Sequence, residues 1–224
     1  MNISLTYAHK YIIIICVNVK TGEVNVMTPI EKIRKIAEAS SSGIVTSKQV
    51  REAEIHPHYL QQLVQNGELV QVSRGIYQRS DSWEDELYNY QLRYKRGVFS
   101  HDTALYLHGY SDRTPEVYTM TFPSNYHAKS IEDELLRFHR TIPKNYETGL
   151  TVIDSPSGNK IFVYDIERTL CDIVRGEGCD IQIVVSAMKR YAASDTKDLH
   201  KLMKYAEQLR VKPKVLRYME VLWR

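Results

Sequence analysis

Between residues 45 and 78 the apolar positions change period twice, and the changes fall where turn-forming residues sit. Thr46 or Ser47 is placed to cap a short helix carrying Val50 and Ala53, and residues 54–57 then form a turn ending in a proline suited to the first position of a helix. In that second helix, residues 57–66, Leu60, Leu63 and Val64 stand at i, i+3 and i+4, and Asn66-Gly67 supplies a positive-φ stop. Leu69, Val70 and Val72 follow as a strand, Ser73-Arg74-Gly75 reads as a turn, and Ile76-Tyr77 returns as a second strand. A helix, a tight turn, an amphipathic helix and a hairpin are the parts of a winged helix-turn-helix. Upstream, Ile30, Ile33, Ile36 and Ala37 share a face of a helix ending at Ser40-Ser41-Ser42-Gly43, which completes a three-helix core.

The rest of the chain alternates less regularly. A helix is expected over residues 83–94, opened by acidic residues 81–86 that suit a helix N-terminus. Val98-Phe99 is a short strand, and Ser100 caps a helix that carries Ala104, Leu105 and Leu107 and stops at His108-Gly109. Strands are predicted over residues 117–122, 150–153 and 160–164, the last two joined through Ser155-Pro156-Ser157-Gly158. Asp165 caps a helix over residues 166–175, and helical segments near 181–192, 196–209 and 213–223 run to the end. The predicted fold class is α+β: an N-terminal winged helix-turn-helix over residues 27–80, then a mixed α/β domain over 81–224 ending in a helical region.

Residues 1–26 form a leader with an apolar centre but no small-residue cleavage pattern of a secretory signal. Codons for Gly22-Glu23-Val24 can contain a purine-rich ribosome-binding sequence, so native translation is expected to begin at Met27; an added strand at a sheet edge is the alternative. The longest apolar run, residues 11–17, is far shorter than the roughly 18 residues of a membrane-spanning helix. Cys16, Cys171 and Cys179 lack the close pairing of a zinc site and make an odd number, so neither a metal finger nor a disulfide framework is implied, and a cytoplasmic, reducing location is expected.

The second helix of the N-terminal module turns His58, Gln62 and Gln65 away from its apolar face, with Gln61 on one flank and Tyr59 on the other. A glutamine amide can bond both N6 and N7 of adenine, whereas guanine is usually read by arginine or lysine. No cation lies between Glu54 and Ser73, so attraction to phosphate must come from Lys48, Arg51, Arg74 and Arg79. The net charge of +3 conceals an asymmetry: seven Lys and Arg face five Asp and Glu over residues 27–80, eleven face seventeen over 81–187, and ten face four over 188–224. Basic ends favour a salt-dependent contact with nucleic acid, although a solvated charged face produces the same count. In the penultimate helix Leu199, Leu202, Met203, Ala206 and Leu209 form an inner stripe, and Lys197, Lys201 and Lys204 are expected together on the outer side. With Lys189, Arg190, Lys212, Lys214 and Arg217 nearby, this ridge would lie along a DNA backbone or an acidic partner.

Enzymatic readings have less support. Asp154, Asp165 and Glu167 have the loose spacing of metal-dependent nuclease carboxylates, but Arg168 stands where a lysine is expected, and helix capping explains Asp165 and Glu167. His101 and His108 are seven apart, too far for direct i, i+4 coordination, and Cys171 reads as buried. Neither a glycine-rich phosphate loop nor a nucleophile elbow is present, so no cofactor, metal site or catalytic residue is expected.

The order of these segments resembles the AbiEi family of antitoxins from bacterial type IV toxin–antitoxin systems. The resemblance is carried by the module ending in Leu69-Val70-Gln71-Val72-Ser73-Arg74-Gly75-Ile76-Tyr77, by Phe99-Ser100-His101-Asp102-Thr103-Ala104-Leu105-Tyr106-Leu107-His108-Gly109, and by Tyr164-Asp165-Ile166-Glu167-Arg168-Thr169-Leu170-Cys171-Asp172. It implies an N-terminal DNA-binding domain, a C-terminal antitoxin domain, repression of its own operon and abortive-infection phage defence; the small contact area of one module adds the expectation of double-stranded operator DNA with inverted half-sites. It further implies antagonism of a nucleotidyltransferase-like toxin without a stable complex. A protein-interaction antitoxin that blocks the toxin directly is the alternative.

Overall fold

The computed structural model describes residues 27–126, 135–175 and 179–222; the expected leader and its alternative strand lie outside them. Pro29–Glu38 forms α1, closed by a capping box in which Thr28 accepts from the Glu31 amide while the Glu31 side chain accepts from the Thr28 amide. After β1 (Ile44–Thr46), Thr46 makes the same reciprocal cap with Gln49 and opens α2 (Ser47–Glu52). The next helix, α3, runs His58–Gln65, so Pro57 sits at its N-cap, one position earlier than the sequence predicts. It ends in a Schellman motif: the Glu68 amide bonds the Leu63 carbonyl, the Gly67 amide bonds that of Val64, and Gly67 takes φ 75°. Strands β2 (Leu69–Ser73) and β3 (Ile76–Arg79) then form an antiparallel hairpin around Arg74 and Gly75.

The three-stranded sheet has order β1-β3-β2. Three residues make β1 a strand chiefly through pairing with β3, so the apolar pattern alone did not reveal it. Ile33, Ala37, Val45, Val50, Leu60, Leu63, Leu69 and Tyr77 form one buried cluster. Each fully buried Leu or Ile there contributes roughly 1.5–3 kcal/mol, which holds the three helices on the small sheet.

Beyond it come α4 (Glu86–Arg93), β4 (Val98–Phe99), α5 (His101–Leu107), β5 (Tyr118–Pro123), β6 (Leu136–Thr141), α6 (Pro143–Tyr146), β7 (Leu150–Asp154) and β8 (Lys160–Tyr164). Helix α4 begins later than expected because Asp85 is the N-cap, accepting from the Tyr88 amide, and Trp83 lies outside the helix in solvent. The five strands form a mixed sheet of order β6-β5-β4-β8-β7. Its core joins Leu87, Tyr90 and Tyr94 of α4 and its end to Phe99, Met120, Phe122, Ile161 and Val163.

Four further helices follow: α7 (Ile166–Arg175), α8 (Ile181–Ala193), α9 (Leu199–Gln208) and α10 (Lys212–Leu222). They pack around Leu170, Val184, Met188, Tyr191, Leu202, Ala206 and Val215. The described residues form an α+β fold with two sheets. Among the described residues no helix is long and apolar enough to cross a membrane, and Cys171 and Cys179 are unpaired, the former buried and its thiol pushed up to about 12, chiefly by burial.

Candidate nucleic-acid interface

Helix α3 turns Leu60 and Leu63 into the core and leaves His58, Gln61, Gln62 and Gln65 exposed. Among the described residues the three glutamine side chains form no hydrogen bond, and nothing covers their face. His58 is less free. Its ring lies tilted against that of Tyr59, centroids 4.0 Å apart, and its Nδ1 lies 3.3 Å from Nδ1 of His56, while Tyr59 is itself half-buried against the N-terminal core.

The start of α2 lies beside the β2–β3 turn, because the Ser47 amide donates to the Gly75 carbonyl at 2.9 Å. That bond, together with Gly75 at φ 76°, brings Lys48, Arg51 and Arg74 to one side of the molecule. Lys48 pairs with Glu52 at 3.4 Å, but both are well exposed and such a pair is worth little. Thr46 is occupied by its cap. Arg79 differs from the sequence expectation: its guanidinium holds Asp81 with two bonds, at 2.9 and 2.6 Å, and so is already neutralised locally.

The C-terminal cations do not form the expected ridge. Lys201 reaches back over α7 to Asp165 at 3.1 Å and Glu167 at 3.0 Å. Burial, the largest influence on Lys201, opposes its charge, yet the bonds and charges of Glu167 and Asp165 together hold the ammonium above the usual lysine range. Lys197 donates to the Ser194 carbonyl, Lys214 to that of Val174, and Lys212 pairs with Glu207. Arg190 is tied to Asp112 and the Gly109 carbonyl. Lys189, Lys204, Arg210 and Arg217 remain as exposed cations of this region.

The carboxylates weighed for nuclease chemistry are also engaged elsewhere: Asp154 pairs with Lys160 at 2.7 Å, and Asp165 caps α7 through the Arg168 amide. His108 bonds the Tyr164 carbonyl at 2.7 Å, while His101 stacks on His139 at 4.0 Å, so the two histidines face different partners. Among the described residues no group of three or more His, Cys, Asp or Glu could hold a metal ion.

Sequence reasoning missed a groove of about 1780 Å³ between α2, the β2–β3 turn, α4 and the β7–β8 turn, to which Lys95, Lys160 and Phe162 contribute. Its walls are fixed by a buried polar junction. Asp85 accepts from Asn159 Nδ2 at 2.6 Å and from the Ser155 hydroxyl, and Asn159 also bonds Ser41 and Ser42 at the end of α1. Only the Ser-Pro-Ser-Gly turn was legible beforehand, not the Asn159 that follows it.

Residues 31–80 match the family model described as transcriptional regulator, AbiEi antitoxin, in agreement with the resemblance drawn from the sequence. That match spans the N-terminal module, from α1 to β3. No curated protein matches the chain. Among solved structures, the RV2827C protein from Mycobacterium tuberculosis is similar at 13% identity and a TM-score of 0.45, covering 82% of this chain and 80% of that one.

Proposed function

We propose that the chain is an antitoxin and transcriptional autorepressor of a type IV toxin–antitoxin operon, with residues 27–80 acting as a winged helix-turn-helix on duplex DNA. One observation carries this reading: α3 is anchored by its apolar side while, among the described residues, its glutamine side stands open and unbonded. Exposed amides hold water that they can exchange for base edges, so a row of them on a rigid helix is suited to an external partner. In this reading α3 enters the major groove with Gln61, Gln62 and Gln65 at base edges, and Arg74 approaches the minor groove or its phosphates. Lys48 and Arg51 hold the flanking backbone. A single small module buries only about 600–1,000 Å² on DNA, which favours two copies on inverted half-sites. Residues 81–224 then carry the antitoxin activity against a nucleotidyltransferase-like toxin, in the cytoplasm and without catalysis.

Binding to the chain's own promoter and to a random duplex, each across a salt series, tests the division of labour. Replacing Lys48, Arg51 and Arg74 by Ala should weaken both duplexes and flatten the salt slope by roughly 0.9 per lost phosphate contact. Gln62→Ala should instead lower promoter binding by about 1–3 kcal/mol and leave random binding nearly unchanged. Equal losses on both duplexes for the two variants would overturn this assignment of α3.

A further inference from the structure

The groove beside α2 combines two chemistries that phosphate binding alone does not require. Lys48, Arg51, Arg74, Lys95 and Lys160 line it, and Glu52 is the one carboxylate among its described lining residues. The same surface presents half-buried Ile36, Val72 and Leu92, together with Phe162 at 39% exposure. A sugar–phosphate backbone gains from the cations and little from the aliphatic surface. An acidic amphipathic helix gains from both.

A helix rises about 1.5 Å per residue, so a segment of about a dozen residues makes roughly three turns along the groove. The Asp85–Asn159–Ser42 junction keeps the two walls in place before any partner arrives, which lowers the ordering cost of docking. The exposed pairs Lys48–Glu52 and Lys160–Asp154 can exchange their carboxylates for a partner's at little cost.

We propose that this groove docks an acidic, amphipathic α-helical segment of a partner protein, and that docking competes with duplex DNA because Lys48, Arg51 and Arg74 serve both. The competition rests on the DNA-binding reading above; the docking itself does not. It would give the regulator a route to derepression in which a partner covers the phosphate-holding cations without touching α3.

The test uses the full chain and a fluorescein-labelled twelve-residue peptide with Leu at i, i+3, i+4 and i+7 and Glu elsewhere, read by anisotropy beside the same peptide with Gln for Glu. The acidic peptide should bind at least about tenfold more tightly than the Gln version and displace labelled promoter duplex. Lys95→Glu combined with Phe162→Ser should weaken the peptide about tenfold while duplex affinity without peptide stays within about twofold. Equal binding of both peptides, or of neither, would overturn the proposal. So would an equal loss of duplex and peptide in the double variant, or displacement of duplex only by a single-stranded oligonucleotide, since either assigns the groove to nucleic acid. Peptide binding with no duplex binding would uphold docking and remove the DNA reading.

Discussion

Helices α3 and α7 treat their polar side chains in opposite ways. On α3 the glutamines face water and bond nothing within the described chain. On α7 Glu167, Arg168 and Asp172 are buried and each is answered: Arg168 Nε lies 3.0 Å from both Asp172 oxygens, its Nη1 reaches the carbonyls of Asn145 and Thr148, and its guanidinium stacks over Tyr164 at 4.2 Å. Glu167 accepts from the Tyr191 hydroxyl at 3.1 Å and pairs with Lys201. A satisfied buried network specifies how helices sit, whereas an exposed row with no protein partner is available to a ligand. The contrast separates a scaffold helix from a candidate reading helix without reference to any relative.

The sharpest way to break that contrast is to exchange the two behaviours. Arg168→Met strands the Asp172 carboxyl, which burial already pushes up, and leaves two carbonyls unpaired. A loss of about 3–5 kcal/mol in urea unfolding is expected, while Gln62→Met should stay within about 0.5 kcal/mol. Adding Asp172→Leu should recover only part of the loss, because the carbonyls of Asn145 and Thr148 still lack their donor. Comparable losses for Arg168→Met and Gln62→Met would erase the distinction.

Acid provides a second, slightly smaller test on the scaffold side. His101 and His139 are stacked, and burial first, then the neighbouring cations or ring, lowers each to about 4 from an ordinary 6.5. The unfolded chain therefore takes up protons at a higher pH than the folded one, so stability is retained above pH 6.5 and lost as pH falls from there toward 4. For His101 the full window corresponds to roughly 3 kcal/mol. His101 sits at φ 53°, a conformation that asparagine tolerates, so His101→Asn should flatten the pH dependence of the melting temperature between pH 6.5 and 4.5 without straining the backbone. An unchanged slope would mean that the stacked pair is not the acid-sensitive element.

The N-terminal elements were legible because their signals are local. The cap at Thr46 or Ser47, the Gly67 stop and the Arg74-Gly75 turn all act within five residues, and they place α2, α3 and the hairpin to within one or two positions. Strand β6 was not legible. Its sequence Leu136-Arg137-Phe138-His139-Arg140-Thr141 carries three cations or imidazoles, and Phe138 is exposed; parallel pairing with β5 at the sheet's edge decides its conformation. The same limit governed the site. The open face of α3 followed from its apolar period, but the groove depends on Asn159 meeting Ser42 across 117 positions.

Lys201 shows where helical periodicity stops being informative, and it supplies the smallest of these tests. A helical wheel puts it with Lys204 on the outer side of α9, yet its long stem crosses to α7 and leaves only 35% of the side chain exposed. Lys201→Met removes the cation shared by Asp165 and Glu167, and because water still reaches the site the expected loss is about 1–2 kcal/mol. Lys204→Met, on the exposed side of the same helix, should change stability by less than about 0.5 kcal/mol. Promoter binding by Lys201→Met should remain within about twofold once the comparison is made well below its unfolding transition. If Lys201→Met instead kept full stability and lost duplex affinity with a flatter salt slope, the ammonium would be facing phosphate rather than α7, and the division between a closed scaffold and an open reading helix would have to be redrawn around α9.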